Sequence, residues 1–306
     1  MTPVVSIIIP AYKAAAFISR TLDCVKAQTF TDYELIVVDD GSPDNTKEVV
    51  DQYIADNKIN GFCIKQENKK IAAARNTAIK AASGKYMALL DHDDMWYPDK
   101  LEKVMRVFRQ NPDIILASHA LNFVKNGKTV MVYKTGPQKE NMYEYLLFER
   151  CVLTPSAAVF RKDKCDAIGG FRENPEFNTS EDYDFWLRLS KIGQFHFLPD
   201  VLGEYLIVES GASKKIEYHI ASTLNMLGDH FDALRDSGVW TKLKMRRRLA
   251  MIHRTAAREL MKSGIMPKAT AAYIKNMISL YPLDIKNIVT AAQWFFKSAF
   301  CRAEDK

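Results

Sequence analysis

The hydrophobic pattern of the first hundred residues switches repeatedly between strand and helix periods. Val4-Val5-Ser6-Ile7-Ile8-Ile9 is β-branched and almost wholly apolar, which predicts a strand buried on both faces. Residues 14–28 follow with helical spacing that puts Phe17, Ile18, Leu22 and Val25 on one side. Residues 34–38 predict a second buried strand, 45–56 a helix, and 62–64 a short strand. Residues 71–82 are Ala-rich and helical, and Ser83-Gly84 stops them; residues 86–90 predict a fourth strand. Repeated β-α-β units require right-handed crossovers and a mainly parallel sheet, so the fold class is α/β.

After residue 114 the pattern turns mixed. Asn126-Gly127 suits a tight hairpin turn. A strand near 157–160, a Gly169-Gly170 turn, a helix over 182–192 and two short strands at 195–198 and 203–208 follow. Beyond about Ser213 the sequence reads as helical, with breaks near Gly238, Pro267 and Pro282. The expected division is a first domain over 1–213 and a helical region over 214–306.

Composition adds little to this until charge is split along the chain. At 306 residues, 47% apolar and 26% charged, the chain reads as an ordinary globular protein. No apolar run is long enough to predict a spanning helix, and the first residues lack the features of a secretory signal. Cys24, Cys63, Cys151, Cys165 and Cys301 show no paired spacing and read as reduced thiols of a cytosolic protein, without a zinc site. Residues 1–213 hold 26 Lys and Arg against 29 Asp and Glu, whereas 214–306 hold 17 against 8. That basic excess predicts an encounter between the C-terminal region and an anionic surface.

Candidate chemistry gathers at strand ends. Ligands of parallel sheets bind beyond the carboxyl ends of the strands. Tyr12, Asp39, Asp40, Asp91 and Asp93 all follow predicted strands, which places them in one crevice. Adjacent carboxylates such as Asp91, Asp93 and Asp94 repel unless protons or a cation relieve them, and a hard divalent ion with substrate phosphates does so. Alone, each acidic turn also reads as a solvated loop or a helix cap. Glu181-Asp182 opens an amphipathic helix, where a carboxylate either complements the helix dipole or serves as a general base.

These runs together resemble the motifs of the family 2 inverting glycosyltransferases. The residues carrying the resemblance are Ser6-Ile7-Ile8-Ile9-Pro10-Ala11-Tyr12-Lys13, Val37-Val38-Asp39-Asp40-Gly41-Ser42, Glu67-Asn68 through Ala74-Arg75-Asn76, Asp91-His92-Asp93-Asp94, Gly169-Gly170-Phe171 and Glu181-Asp182. The resemblance runs from about residue 4 to residue 213 and implies the GT-A fold, a Rossmann-like nucleotide-sugar-binding architecture. It further implies that Pro10, Ala11 and Tyr12 line a base and ribose pocket. Asp40, with Asp39, would accept a hydrogen bond from the base edge, and Asp91 would contact the ribose or a metal-bound water. Asp93 would bind Mn2+ or Mg2+ on the diphosphate, and Asp182 would deprotonate an acceptor hydroxyl. Arg75, His92 and Glu181 fall inside the same motifs and join the substrate-binding set. The implied donor is a UDP-sugar and the acceptor a glycan or lipid-linked glycan.

Two departures from the family pattern stand out. Lys69-Lys70 replaces a usual glycine, and Lys70 is placed to reach the base or phosphates. Leu206 and Val208 stand where many relatives carry Arg and His, which thins the metal's ligands, with Lys214 and Lys215 available to restore positive charge. The alternatives are an inactive glycan-binding or membrane-associated homologue and a nucleotidyltransferase. The latter would need a Gly-rich phosphate loop after its first strand, which Pro10-Ala11-Tyr12-Lys13 is not.

In the C-terminal region, Arg247, Arg254, Arg258 and Lys262 share one helix face, opposite Leu249, Ile252, Ala256 and Leu260. The basic face is expected to meet anionic lipid at the inner face of a membrane. Ile285, Ile288, Val289, Ala292, Phe296 and Ala299 form another stripe, expected to pack inward. No nucleic-acid motif accompanies the arginines.

Overall fold

A computed structural model describes residues 2–207, 216–263 and 267–304. Val208 through Lys215, including the position where relatives carry His, lie outside the described residues. The chain divides into two compact units, one of residues 1–146 and 151–211, the other of 147–150 and 212–306.

The first unit is built on a nine-stranded sheet. Strands β1 (Val5–Ala11), β2 (Tyr33–Asp40), β3 (Gly61–Gln66) and β4 (Tyr86–Leu89) are joined through helices α1 (Ile18–Lys26), α2 (Thr46–Asn57) and α3 (Lys70–Ala81). They lie parallel in the order β3-β2-β1-β4. Every residue of β1 is buried, which is why its sequence shows no polar alternation. Beyond β4 come β5 (Met95–Trp96), α4 (Lys100–Gln110), β6 (Ile114–Lys125), β7 (Lys128–Tyr133) and α5 (Met142–Phe148). Then follow β8 (Ala158–Arg161), α6 (Lys162–Ala167), α7 (Glu181–Leu189) and β9 (Gln194–Leu206). Here directions mix: β8 runs antiparallel to both β4 and β6, while β9 runs parallel to β6.

The two short strands expected at 195–198 and 203–208 are one long strand, β9. Pro199 does not end it because the register slips at that point, with Leu198 opposite His119 and Val201 opposite Ala120. A bulge leaves the proline without a ladder bond to make.

The second unit contains α8 (Ile216–Asp232), α9 (Val239–Ser263), α10 (Pro267–Leu280) and α11 (Ile285–Glu304). Ala257, Ile274 and Met277 form its core with Tyr273, Ile278, Ala291 and Trp294. As expected, Ile252, Ala256 and Leu260 of α9 turn inward. Two arginines of the basic face of α9 are engaged within the unit, however. Arg247 pairs with Glu149 at 2.7 Å, and Arg254 donates to Asp284 and Asn287 at 3.2 and 2.8 Å. Arg254, mostly buried, ties α9 to the start of α11, because a buried guanidinium needs partners, while the part-exposed Arg247 pairs with Glu149 of the same unit. The stripe expected to pack inward on α11 faces out: Ile285, Ile288, Val289 and Phe296 are exposed while Asn287 and Thr290 are buried.

Lys70 opens α3 with φ of +72°, the left-handed region that any Cβ strains. Lys70→Gly is therefore expected to stabilise the protein by about 0.5–1 kcal/mol. Thermal unfolding should show a rise of about 2 °C, and Lys70→Ala, which keeps Cβ, should show none.

Candidate active site

The crevice lies at the carboxyl ends of β1, β2 and β4. Gly41 makes its first wall possible. It adopts φ of +71°, and a Cβ there would meet the Asn68 backbone nitrogen at 2.7 Å, so the loop after β2 fits against the loop before α3 only without a side chain. The Ser42 backbone N–H donates to Asp39 Oδ1 at 2.9 Å, and the Ser42 hydroxyl accepts from the Lys13 N–H at 2.9 Å. Tyr12 stands 40% exposed above this loop, while Pro10 and Ala11 are buried in β1.

Asp39 and Asp40 have different duties. Asp40 Oδ1 accepts from Gln66 Nε2 at 2.8 Å and from the Lys69 N–H at 2.9 Å, tying the two loops together. Asp39 is fully buried, and its Oδ2 has no hydrogen-bond partner, with Lys65 Nζ 3.7 Å away. Buried acceptors are rarely left open without use for one. Asp39 therefore offers a vacant acceptor where the resemblance had placed Asp40 first.

The acidic turn after β4 is held from three sides. Ser156 accepts from the Asp91 N–H at 3.0 Å and donates to Asp94. Asp94 Oδ1 accepts from the Leu206 N–H at 3.1 Å, at the end of β9. Both Asp94 oxygens are thus occupied, and burial together with Asp91 and Asp93 pushes its carboxyl well above the usual range. His92 donates through Nδ1 to the Pro10 carbonyl at 2.9 Å and stacks on Phe17, so it fixes the turn against β1. Asp93 accepts a hydrogen bond only from its own backbone; burial and Asp91 push its carboxyl up, against the pull of His92.

Arg75 of α3 joins this turn to α7. Its side chain is 1% exposed; Nη2 donates to Asp91 at 3.0 Å and Nη1 to Glu181 at 2.9 Å. The other Glu181 oxygen accepts from the Thr179 N–H at 2.8 Å. Glu181 therefore has both oxygens engaged inside the protein. The next residue, Asn76, clamps the loop before α7, donating to the Phe171 carbonyl at 2.8 Å and accepting from the Phe171 N–H at 2.9 Å. Gly170, at φ of +71°, lets that loop pass, since a Cβ would sit 2.7 Å from Asn76 Oδ1. Arg188 of α7 donates to the Ile168 and Gly170 carbonyls and to the fully buried Asp184, which Arg172 also grips.

Asp182 is left in a different state. Its carboxylate accepts only from the N–H of Tyr183 at 2.7 Å. Burial, reinforced by Glu181, outweighs the pull of Arg75 and lifts its pKa to about 7. Tyr205, at the end of β9, reports the convergence of these groups. Its hydroxyl is pushed up by burial and by Asp94, Asp91, Asp93 and Asp182 together. Its ring stacks on Phe123 at 4.6 Å. Asp94 belongs to the acidic motif read from sequence but receives no role there, and Tyr205 receives none either.

Among the described residues, no group of three or more His, Cys, Asp and Glu side chains gathers to hold a metal. The donor set still fits one in a limited way. Asp93 has a carboxylate unused by its neighbours and crowded by Asp91, and Mg2+ or Mn2+ is commonly held by one or two carboxylates with substrate phosphates.

The profile of the family described as Glycosyl transferase family 2 matches residues 6–169. An uncharacterised glycosyltransferase of Rickettsia typhi is 32% identical over 66% of this chain, and the chondroitin synthase of Escherichia coli is 31% identical over 70%. The matched stretch spans 63% of the Rickettsia typhi protein, 36% of a Rickettsia felis relative and 31% of the chondroitin synthase. Among solved structures, Staphylococcus aureus TarS 1–349 in complex with UDP-GlcNAc gives a TM-score of 0.60 at 18% identity, covering 92% of this chain and 89% of that one. The mannosyltransferase PcManGT of Pyrobaculum calidifontis, in complex with GDP-Man and Mn2+, gives 0.59 at 17%, covering 100% and 88%. With its acidic strand ends and α/β sheet matching this pattern, the chain belongs to glycosyl transferase family 2 and has the GT-A fold.

Proposed function

We propose that the protein transfers a sugar from a nucleoside-diphosphate donor, UDP-linked, to a hydroxyl of a glycan or lipid-linked glycan, with inversion at the anomeric carbon. The observation that carries this reading is Asp182: a carboxylate at the start of α7 with a pKa near neutrality, next to Glu181, which Arg75 ties to the acidic turn. A general base works best when its pKa lies near the operating pH.

Each side chain then has a defined duty. Tyr12 offers its exposed ring to the base, and Asp39 Oδ2 accepts from the base edge. Asp91, oriented by Arg75, faces the ribose, and Lys70 supplies positive charge beside the Asp40 loop. Asp93 would hold a divalent cation, which when bound neutralises charge on the leaving diphosphate. Asp182 takes the proton of the acceptor hydroxyl. The acceptor oxygen forms its bond to the anomeric carbon as the bond to the diphosphate oxygen breaks, with the electron pair leaving on the diphosphate. One displacement inverts the centre and needs one base and no enzyme nucleophile, unlike the paired carboxylates of retaining hydrolases.

Asp182→Asn is expected to lower kcat by about a hundredfold or more while donor affinity changes little, the mark of lost base catalysis. In the wild type, kcat should fall tenfold per unit below a midpoint of about 7, because protonated Asp182 cannot accept. Stability should move the other way. The folded pKa lies above the unfolded one, so the folded state holds an extra proton between the two and loses stability as pH rises through that window. Asp182→Asn should accordingly melt higher than wild type at pH 8, with the gain fading toward pH 4. A comparable loss of donor affinity would instead make Asp182 a structural residue.

Asp93→Asn is expected to abolish turnover and to weaken UDP binding measured calorimetrically with Mn2+ present. EDTA should do the same to wild type. Transfer unchanged by both would remove the metal from the account.

A further inference from the structure

The residues that α11 turns outward are its apolar ones. Ile285 is 75% exposed, Ile288 and Val289 are 50% exposed and Phe296 is 64% exposed, with Phe295 beside them. Their spacing of three and four residues puts them on one face, with Ala292 between. Leu283, just ahead of the helix, is 90% exposed. The inward side carries Asn287, which donates to the Tyr281 carbonyl at 2.9 Å and accepts from Arg254, together with Thr290, Ala291 and Trp294. A helix of a water-surrounded protein puts its apolar stripe on the core. An outward stripe of this extent marks an interaction surface.

Charge selects the partner. Residues 214–306 hold 17 Lys and Arg against 8 Asp and Glu, an excess of nine positive charges. Lys286 is exposed on the flank of the stripe, and Lys242, Arg258 and Lys275 are exposed elsewhere on the same unit. Between Ile285 and Phe300 the helix sequence contains no acidic residue. A second copy of the chain would bring two units of the same sign together. An anionic leaflet offers acyl chains to the stripe and phosphates to the lysines. The first turn of α9 repeats the combination, with Val239 and Trp240 each 79% exposed close to Lys242. Tryptophan favours the head-group level of a bilayer. Among the described residues, no helix is long and apolar enough to cross a membrane.

We infer that α11 lies in the plane of an anionic lipid surface, with Ile285, Ile288, Val289 and Phe296 among the acyl chains and the basic residues toward the phosphates. This inference replaces the arginine face of α9 as the contact. Arg247 and Arg254 are engaged within the unit, whereas the apolar face of α11 is open to solvent.

The test is sedimentation of the full chain with vesicles, either phosphatidylcholine alone or phosphatidylcholine with about a third phosphatidylglycerol, at low and high salt. Wild type should bind the anionic vesicles at least about tenfold more tightly than the neutral ones, with the difference shrinking in high salt. Ile288→Ser/Val289→Ser/Phe296→Ser should lose about tenfold or more in binding while keeping its melting temperature, since these side chains are already exposed. Arg247→Gln, tested for comparison, should lower the melting temperature rather than act on binding alone. Equal vesicle binding by wild type and the triple variant would overturn the inference. So would a wild-type dimer, seen by light scattering, that the triple variant dissociates. Donor hydrolysis measured without vesicles is independent of the outcome, so failure of docking and failure of the transferase reading are distinguishable.

Discussion

A single buried guanidinium organises the crevice. Arg75 is 1% exposed and bonded to Asp91 on one side and Glu181 on the other, so it fixes the distance between the turn after β4 and the start of α7. A buried charge in that position needs its partners, and removing either carboxylate would leave one arm of the guanidinium without its acceptor. Its neighbour Asn76 secures the loop leading into α7, and Arg188 and Asp184 secure the turn before it. The consequence falls on Asp182. Glu181 takes the ion pair, and Asp182, one residue on, is left half-buried with a single backbone donor. Its basicity follows first from its own burial and then from the charge of Glu181 beside it, against the pull of Arg75.

Much of this architecture is legible in the sequence, and particular residues show where legibility stops. Continuous apolar runs announce β1, β2 and β4 because buried parallel strands have no polar face, and the acids that follow them mark the crevice. Adjacency does not reveal which acid does what. Asp39 and Asp40 stand side by side, yet one has an open oxygen and the other binds the neighbouring loop. Asp93 and Asp94 divide similarly, the second being occupied by Ser156 and the Leu206 amide. These assignments depend on donors far along the chain, from β9 and from the turn before β8. Pro199 misleads for the same reason, since the bulge that accommodates it is a property of the partner strand.

The helical unit shows the limit of periodicity. A 3.6-residue period says which residues share a face but not which face turns inward. On α9 the apolar side packs, as its pattern suggests. On α11 the buried positions are Asn287 and Thr290, because Asn287 meets both Arg254 and the Tyr281 carbonyl there. Lys70 is a comparable case at the start of α3, a side chain kept at a backbone angle that favours glycine. Strain of this kind concentrates where a residue's chemistry matters more than its conformational comfort.

The state of Asp182 decides whether α7 supplies a base, and its titration can be observed without knowing donor or acceptor. The side-chain carboxyl carbon of Asp182 can be followed by 13C NMR from pH 3 to 9, with the resonance assigned by its loss in Asp182→Asn. The account predicts a midpoint of about 7. A midpoint near the ordinary aspartate value of about 4 would show a solvated carboxylate or one paired with Arg75, and would contradict the proposed base.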